Sequence, residues 1–182
     1  MVDARRVVGA VVLMSTLALT GCTPDGPAGP TPSLSSAAPT PLETTQERQE
    51  RLDYAAAEKS YRTFRAEYER VLRAGGAKDA TATMKNTAGG GYLKTFTEVV
   101  QAFSANGSRD TGRETIAYVR PSGYASDSLA LEVCEDSRSV VTIRRSGHRS
   151  RGEVRQATIE VRKVSNVWKV WSGTGKLDDS CD

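Results

Sequence analysis

The sequence has few of the residues from which metal and catalytic sites are most often built. Its 182 residues include one histidine, three cysteines and three methionines. This argues against a histidine- or cysteine-based metal centre, and the absence of a Cys-x-x-Cys pair argues against a redox-active thiol site. The net charge of +3 is close to neutral and argues against a dedicated nucleic-acid-binding protein.

The sequence also has no apolar run long enough to span a membrane, and its one extended apolar run lies at the amino end. Two arginines precede the run from Val7 to Thr20, which is shorter than the roughly 20 residues of a membrane-spanning helix. A charged segment followed by a short apolar run is typical of a signal peptide. The run ends in Leu19-Thr20-Gly21-Cys22, which resembles the bacterial lipobox.

The lipobox resemblance implies a lipoprotein held on the extracytoplasmic face of the cell membrane. Residues 1–21 would be removed by cleavage between Gly21 and Cys22, and the Cys22 thiol would carry a diacylglycerol. Two acyl chains are enough for stable anchoring. An ordinary signal peptide or an uncleaved anchor is the alternative.

A proline-rich segment follows and predicts a disordered tether over residues 22–43, with the lipidated cysteine at its start. Most of the seven prolines lie there among threonine, serine, alanine and glycine, a composition that buries too little apolar surface to fold. Residues 23–41 would span roughly 25 Å as a coil and at most about 60 Å when extended.

Residues 44–182 are predicted to form a single α+β domain. Thr44 and Glu47 fit a capping box at the start of a long helix, whose apolar residues recur every three or four positions up to Val71. The charged residues between them, Arg65 included, are predicted to form a solvated face. A short helix is predicted over 79–85, and a third helix ends at Asn106-Gly107.

Alternating apolar and polar residues then predict strands. The segments are 116–119, 129–134, 141–143, 157–162 and 167–171, with a tight turn at Ser165-Asn166. Helices followed by strands with short connections predict helices packed on one face of a curved antiparallel sheet. With Cys22 assigned to the lipid, Cys134 and Cys181 remain as a disulfide pair, which would add roughly 4 kcal/mol of stability.

The chain resembles small bacterial lipoproteins with the nuclear transport factor 2-like cone fold. The resemblance rests on the aromatic helix Tyr54–Val71, the segment Leu129–Asp136, the hairpin Thr158–Trp171 and the terminal Cys181. It implies a cone-shaped pocket between a bent sheet and a long helix. Some members of that superfamily are isomerases or cyclases with an acidic or histidine side chain in the pocket, and many are binding or assembly modules.

No residue stands out as catalytic. His148 lies in a polar loop and is predicted to be a surface residue, and Glu135-Asp136 is interpreted as a turn after a strand. We expect no catalytic residue, no metal site and no cofactor. Gly89-Gly90-Gly91 lacks the strand and the Lys-Ser/Thr of a phosphate-binding loop, so it is interpreted as a flexible connector.

Two groups of residues are candidates for binding. Several aromatic side chains are predicted to converge between helix and sheet, either as a packed core or as the lining of a pocket for an apolar ligand. They are Tyr54, Tyr61, Phe64, Tyr68, Phe96, Tyr118, Trp168 and Trp171. Arg144, Arg145, Arg149 and Arg151 lie close together in sequence, either as a solvated loop or as a contact for an anionic surface.

The sequence favours a non-catalytic binding or accessory module of the cell envelope. Its partners would be the membrane lipid, through acylated Cys22, and either an envelope protein or a small apolar ligand. A pocket enzyme of the isomerase or cyclase type is the alternative. An accessory protein without a pocket is a third hypothesis.

Overall fold

The computed structural model describes residues 43–182, so Gly21, Cys22 and the predicted tether up to residue 42 lie outside the described residues. The described helices are α1 (Thr45–Arg73), α2 (Ala82–Thr87) and α3 (Gly90–Asn106). The described strands are β1 (Arg109–Thr111), β2 (Thr115–Tyr124), β3 (Ser128–Asp136), β4 (Val141–Ile143), β5 (Arg149–Arg151), β6 (Val154–Val164) and β7 (Val167–Asp178). Within residues 43–182, no helix is long and apolar enough to cross a membrane.

The strands form two antiparallel sheets. The larger sheet has the order β2-β3-β6-β7, and a small sheet has the order β1-β4-β5. The helices pack against the larger sheet, mainly through contacts of α1 and α3 with β7. The predicted α+β class is therefore confirmed. Two of the three strands in the small sheet, β1 and β5, were not predicted, because neither of these three-residue segments contains an apolar residue.

Local signals in the sequence set the ends of several elements. The Thr44 hydroxyl accepts a hydrogen bond from the Glu47 amide at 3.2 Å, and the Glu47 carboxylate accepts one from the Thr44 amide at 2.8 Å, which completes the predicted capping box. Ser165 and Asn166 both have positive φ (49° and 66°), as a two-residue hairpin turn with the twist of its strands requires.

The core lies between the apolar side of α1 and the inner face of the larger sheet. Tyr61 and Phe64 are fully buried, and Leu131, Ile159 and Val161 pack in the same cluster. Their positions on β3 and β6 follow the alternation of a strand that is buried on one face.

A register irregularity in β2 changes which side chains reach this core. In a regular strand over the predicted segment 116–119, Ile116 and Tyr118 would share a face, but the pairing with β3 shifts between them. As a result Ile116 and Val119 pack against the core. An extra residue in a strand reverses the alternation beyond it.

The disulfide between Cys134 and Cys181 is present, with 5.7 Å between the two Cα atoms. Cys134 is fully buried in β3, on the face opposite the core residues Val133 and Leu131. The Gln156 side-chain amide donates a hydrogen bond to the Ser180 carbonyl at 3.3 Å. The bridge and this bond hold the carboxyl-terminal tail against the outer face of the sheet.

Candidate binding cavity

Two adjoining cavities open between α1, α3 and the sheet. Their volumes are about 330 Å³ and about 440 Å³. Both are lined by Arg65, Tyr68, Phe96, Glu135 and Arg155. The shared residues make them two parts of one candidate site, within the size range of small-molecule pockets.

The second, larger cavity has an aromatic and aliphatic wall. Phe96 contacts Tyr68 edge-on, with 4.6 Å between the ring centroids, and lies 4.5 Å from the Tyr92 ring. Val99 of α3 and Ile159 of β6 also line this cavity. These side chains can cover the apolar part of a ligand.

Glycines keep the wall of the second cavity open. Gly91, in the first turn of α3, lines the cavity, and a Cβ atom built on it would have no heavy atom within 4 Å. Gly173 lies on β7 opposite Ile159, and a Cβ atom there would come within 2.9 Å of the Ile159 Cδ1 atom and 3.4 Å of the Tyr92 ring. A side chain at Gly91 would extend into open space beside the cavity, whereas one at Gly173 would press on Ile159 and Tyr92.

A buried ion network forms the polar part of the site. The Arg65 guanidinium lies 2.5 Å from the Glu114 carboxylate and 3.0 Å from the Glu135 carboxylate, and the Tyr61 hydroxyl donates a hydrogen bond to Glu135. Arg65 and Glu135 are buried, with 8% and 6% of their surface exposed. Ser137 also donates a hydrogen bond to Glu114, at 2.8 Å.

The network fixes the protonation states of its donors. Burial opposes the charge of Arg65, but Glu135 and Glu114 outweigh burial and raise the pKa of Arg65 well above its ordinary value. Burial, followed by the charge of Glu135, raises the pKa of Tyr61 far above its ordinary value. Burial likewise raises the pKa of Tyr92 to about 12. The guanidinium therefore stays charged, and both phenols stay protonated.

Two of the sequence interpretations are wrong at this site. Arg65 was assigned to the solvated face of the first helix, but it is buried among the aromatic residues of α1. Glu135 was interpreted as part of a turn, but it lies inside β3 on the same face as Val133, paired in register with Arg155. Glu135 lies two residues after Val133, and residues at this spacing in a strand share a face, so the sequence did contain a signal for the inner face.

A second buried acid lies near the β6–β7 turn. Asp53 accepts hydrogen bonds from the Trp168 indole at 3.0 Å and the Tyr124 hydroxyl at 2.9 Å. The Lys163 ammonium lies 3.6 Å away. Burial favours a higher pKa for Asp53, but the hydrogen bonds outweigh burial and lower it. This cluster of Asp53, Tyr124, Lys163 and Trp168 is called the hairpin end below, and Arg65, Glu114, Glu135 and the two cavities are called the open end.

Six of the eight aromatic residues named in the sequence analysis lie at the open end or at the hairpin end. Tyr68 and Phe96 line both cavities, and the fully buried Tyr61 and Phe64 lie behind them. Tyr54 packs against Tyr124 at the hairpin end, with 5.9 Å between ring centroids, and Trp168 also lies there. The cavity additionally uses Tyr92, which the sequence analysis did not single out.

Tyr118 and Trp171 lie elsewhere. Tyr118 lines a separate, more open cavity of about 380 Å³ and stacks with the Arg120 guanidinium, 4.0 Å from the ring centroid. Trp171 packs against the backbone of Gly89 and Gly90, where added Cβ atoms would come within 2.6 Å and 2.7 Å of its ring. These two glycines are thus held in contact with an aromatic side chain, and the interpretation of the triplet as a mere connector was incomplete.

The remaining predicted residues lie on the surface. His148 is exposed, as are Arg144, Arg145, Arg149 and Arg151. In residues 43–182, no group of three or more histidine, cysteine, aspartate or glutamate side chains is placed to hold a metal ion.

Comparison with known proteins gives similarity at the level of the fold. No protein-family model and no curated protein matches the chain. The intermembrane-space region of the chloroplast protein ARC6 has a TM-score of 0.49 and 12% identity over 69% of this chain and 97% of that chain. A protein of the NTF2-like family from Streptomyces avermitilis has a TM-score of 0.47 and 13% identity over 71% and 99% of the two chains.

A further solved structure is an NTF2-like protein with a cystatin-like fold from Novosphingobium aromaticivorans. It has a TM-score of 0.41 and 14% identity over 78% of this chain and 95% of that chain. The described architecture, with a long helix packed on an antiparallel sheet beside a cavity, agrees with the nuclear transport factor 2-like resemblance predicted from the sequence. Such similarity concerns the fold alone.

Proposed function

We propose that the domain binds a small ligand with an apolar body and an anionic end, and that a lipid on Cys22 holds it at the extracytoplasmic face of the cell membrane. The observation that supports the ligand proposal is the position of Arg155. Arg155 lines both cavities, is exposed to solvent, and forms no ion pair with any carboxylate in residues 43–182. Arg65 differs, because Glu114 and Glu135 balance its charge.

The apolar wall and Arg155 together define the class of ligand. Phe96, Val99 and Ile159 offer contacts without hydrogen-bonding groups, and they line the same cavity as Arg155. A guanidinium binds a carboxylate or phosphate through two parallel hydrogen bonds. A fatty acid or an aromatic carboxylate meets both requirements.

Binding of cis-parinaric acid, a fluorescent fatty acid, tests this proposal. The protein is the chain from residue 22 with Cys22→Ser, and energy transfer from its tryptophans to the probe is measured. Gly91→Phe should weaken binding by about tenfold or more, because the ring occupies the second cavity, whereas Gly91→Ala should leave binding unchanged. Arg155→Gln should also weaken binding by about tenfold.

The corresponding fatty alcohol separates the two contributions. Its binding should be insensitive to Arg155→Gln and sensitive to Gly91→Phe. Equal affinity of the unsubstituted protein and Gly91→Phe for the fatty acid would place the probe outside the cavity and end the proposal.

The anchor has a separate test. In a bacterial host that processes lipoproteins, an alkyne analogue of palmitate should label the chain, and the intact mass should begin at residue 22. Cys22→Ser should abolish the label, whereas Cys181→Ser should retain it. An unlabelled protein that begins at Met1 would contradict the anchor.

A pocket enzyme is the second candidate, and the buried carboxylate of Glu135 favours it. Glu135 lines both cavities and accepts a hydrogen bond from the Tyr61 hydroxyl. In this mechanism Glu135 would remove a proton from a carbon atom next to a carbonyl group and return one to the substrate. The Tyr61 hydroxyl, kept protonated by burial, would position Glu135.

Deuterium exchange into 2-tetralone, an enolisable aromatic ketone, tests this candidate by NMR. Catalysed exchange should fall by about 100-fold or more in Glu135→Gln. Glu132→Gln, on the opposite face of the same strand, is the matched control. Exchange no faster than in buffer would leave the binding module as the function of the cavity.

A further inference from the structure

The arginines of the domain fall into two groups by their partners. Every arginine of α1 forms an ion pair with a glutamate. The pairs are Arg48–Glu43, Arg51–Glu43, Arg62–Glu58, Arg65–Glu114, Arg70–Glu67 and Arg73–Glu69. Helix α1 thus presents little uncompensated positive charge to solvent.

The small sheet is different. Its arginines are exposed, and within residues 43–182 they form no ion pair. They are Arg109 on β1, Arg144 and Arg145 in the β4–β5 loop, and Arg149 and Arg151 on β5. Asp110 is the acid nearest in register; it is half-buried, and burial raises its pKa.

The strand register gathers these charges on one face. Arg109 of β1 and Arg149 of β5 both pair with Ile143 of β4, so the three side chains lie in one row across the sheet. The opposite face carries Thr142, whose hydroxyl donates a hydrogen bond to Asp110 at 2.6 Å. Asp110 and Thr142 on that opposite face line the first cavity of the open end, and Arg151 reaches the same cavity from the edge of the basic face.

The β4–β5 loop continues the same basic surface. The Arg145 guanidinium lies across the backbone of Gly107, since a Cβ atom built on Gly107 would come within 2.7 Å of the Arg145 Nε atom. Gly107 ends α3 with a φ of 58°. The end of α3 thus holds the Arg145 side chain against the domain, next to the small sheet.

We propose that this basic face, made of Arg109, Arg144, Arg145, Arg149 and Arg151, docks on the headgroups of anionic phospholipids. Positive charge without internal partners is complementary to such a surface, and each arginine adds to the attraction. The proposed anchor at Cys22 brings the membrane within reach, because residues 23–41 span at most about 60 Å when extended. The proposal shares that anchor with the proposed function and does not depend on ligand binding in the cavity.

Docking on this face would also orient the cavity. Arg151 belongs to the basic face and lines the first cavity together with Val140 and Thr142. The exposed Leu177, with 63% of its surface accessible, lines the same cavity. The mouth of the open end would therefore lie next to the bilayer.

Sedimentation with vesicles tests the docking. The chain from residue 22 with Cys22→Ser is mixed with vesicles of phosphatidylcholine alone or with added phosphatidylglycerol, at about 0.05 M and about 0.5 M salt. Binding should require phosphatidylglycerol and should be lost at the higher salt. A variant with glutamine at positions 144, 145, 149 and 151 should bind about 100-fold more weakly at low salt.

A second variant matches this loss of charge elsewhere on the domain. It carries Arg48→Gln, Arg51→Gln, Arg62→Gln and Arg70→Gln on the exposed surface of α1, and it should bind like the unsubstituted protein. Equal weakening of both variants would mean that net charge alone drives binding. Absence of binding at low salt, or a preference for a soluble polyanion such as polyglutamate over the vesicles, would also overturn the proposal.

Discussion

The hairpin end and the open end each bury an acidic side chain between α1 and the sheet, and the two cavities described above adjoin only the open end. At the hairpin end, Asp53 accepts hydrogen bonds from Trp168 and Tyr124, and the Lys163 ammonium lies 3.6 Å from its carboxylate. At the open end, Glu135 is held by Arg65 and Tyr61, and two cavities adjoin the pair.

The difference between the ends shows that buried charge alone does not mark a site. The hairpin end uses its acid to fix the start of β7 on α1, where the Ser60 hydroxyl also donates a hydrogen bond to the Trp168 carbonyl at 2.6 Å. The open end combines a satisfied ion network with empty space and with Arg155, whose charge no described acid pairs with. This combination makes the open end the better candidate for ligand binding.

The largest expected effect comes from breaking the ion network of the open end. Arg65→Met should lower the free energy of unfolding by about 3–5 kcal/mol, because the buried Glu135 and the half-buried Glu114 would lose the positive charge that balances them. Urea unfolding monitored by circular dichroism measures the loss. Arg62→Met, which removes an exposed pair with Glu58, should cost less than about 1 kcal/mol. Equal losses would mean that the network is solvated.

A smaller effect is expected at the hairpin end. Asp53→Asn should lower the free energy of unfolding by about 1–3 kcal/mol, because the new amide group would face the donors Trp168 and Tyr124. Chemical denaturation at neutral pH checks it. Glu50→Gln, on the same helix, is the control and should change stability by less than about 0.5 kcal/mol. If Asp53→Asn left the free energy of unfolding unchanged, packing around Trp168 alone would account for the stability of the hairpin end.

The pH dependence of that loss gives a finer test. The folded protein lowers the pKa of Asp53, so the stabilisation that Asp53 provides is present above its unfolded pKa and is lost as pH falls through the folded pKa. The stability difference between the unsubstituted protein and Asp53→Asn should therefore be largest above about pH 4 and should shrink below it. A stability difference that stays constant across this pH range would mean that Asp53→Asn acts through side-chain packing and not through the charge of Asp53.

Much of the fold was predictable, and the charged residues inside it were not. The capping box, the Ser165-Asn166 turn and the long strands follow from local patterns that need no distant partner. Arg65 lies four residues after Tyr61 and three before Tyr68, so its helical position pointed to the buried face. Arg65 was nevertheless assigned to the solvated face because it is charged. Its partners Glu114 and Glu135 are remote in sequence, so no neighbouring residue indicated that its charge is balanced inside the domain.

The family resemblance implied a pocket, but the volume and the lining of the cavity could not be derived from the sequence pattern. Its existence depends on where side chains are missing, as at Gly91 and Gly173, and on the shift of register that turns Tyr118 away from its predicted place among the aromatic residues. Periodicity identifies which residues face inwards, but it does not give the volume that they leave unfilled.

Two neighbouring glycines, Gly90 and Gly91, allow a comparison between a position packed against a side chain and a position beside open space. Gly90 has a φ of 54° and lies under the Trp171 ring, so Gly90→Ala adds both backbone strain and a steric overlap. It should lower the free energy of unfolding by about 1–2 kcal/mol. Thermal unfolding measures the change, and Trp171→Leu should relieve part of it. An unaffected Gly90→Ala protein would show that the ring moves freely.

A substitution at Gly91 should have the opposite effect on stability, and this is the smallest of the expected changes. It lies in α3, its φ is not in the positive range, and a Cβ atom there would have no heavy atom within 4 Å. Gly91→Ala should therefore raise the free energy of unfolding by up to about 1 kcal/mol, since alanine favours the helix and meets no neighbour. The same thermal unfolding measures it. A loss of stability would mean that the wall beside Gly91 is already closed, and the contrast between the two ends of the domain would then weaken.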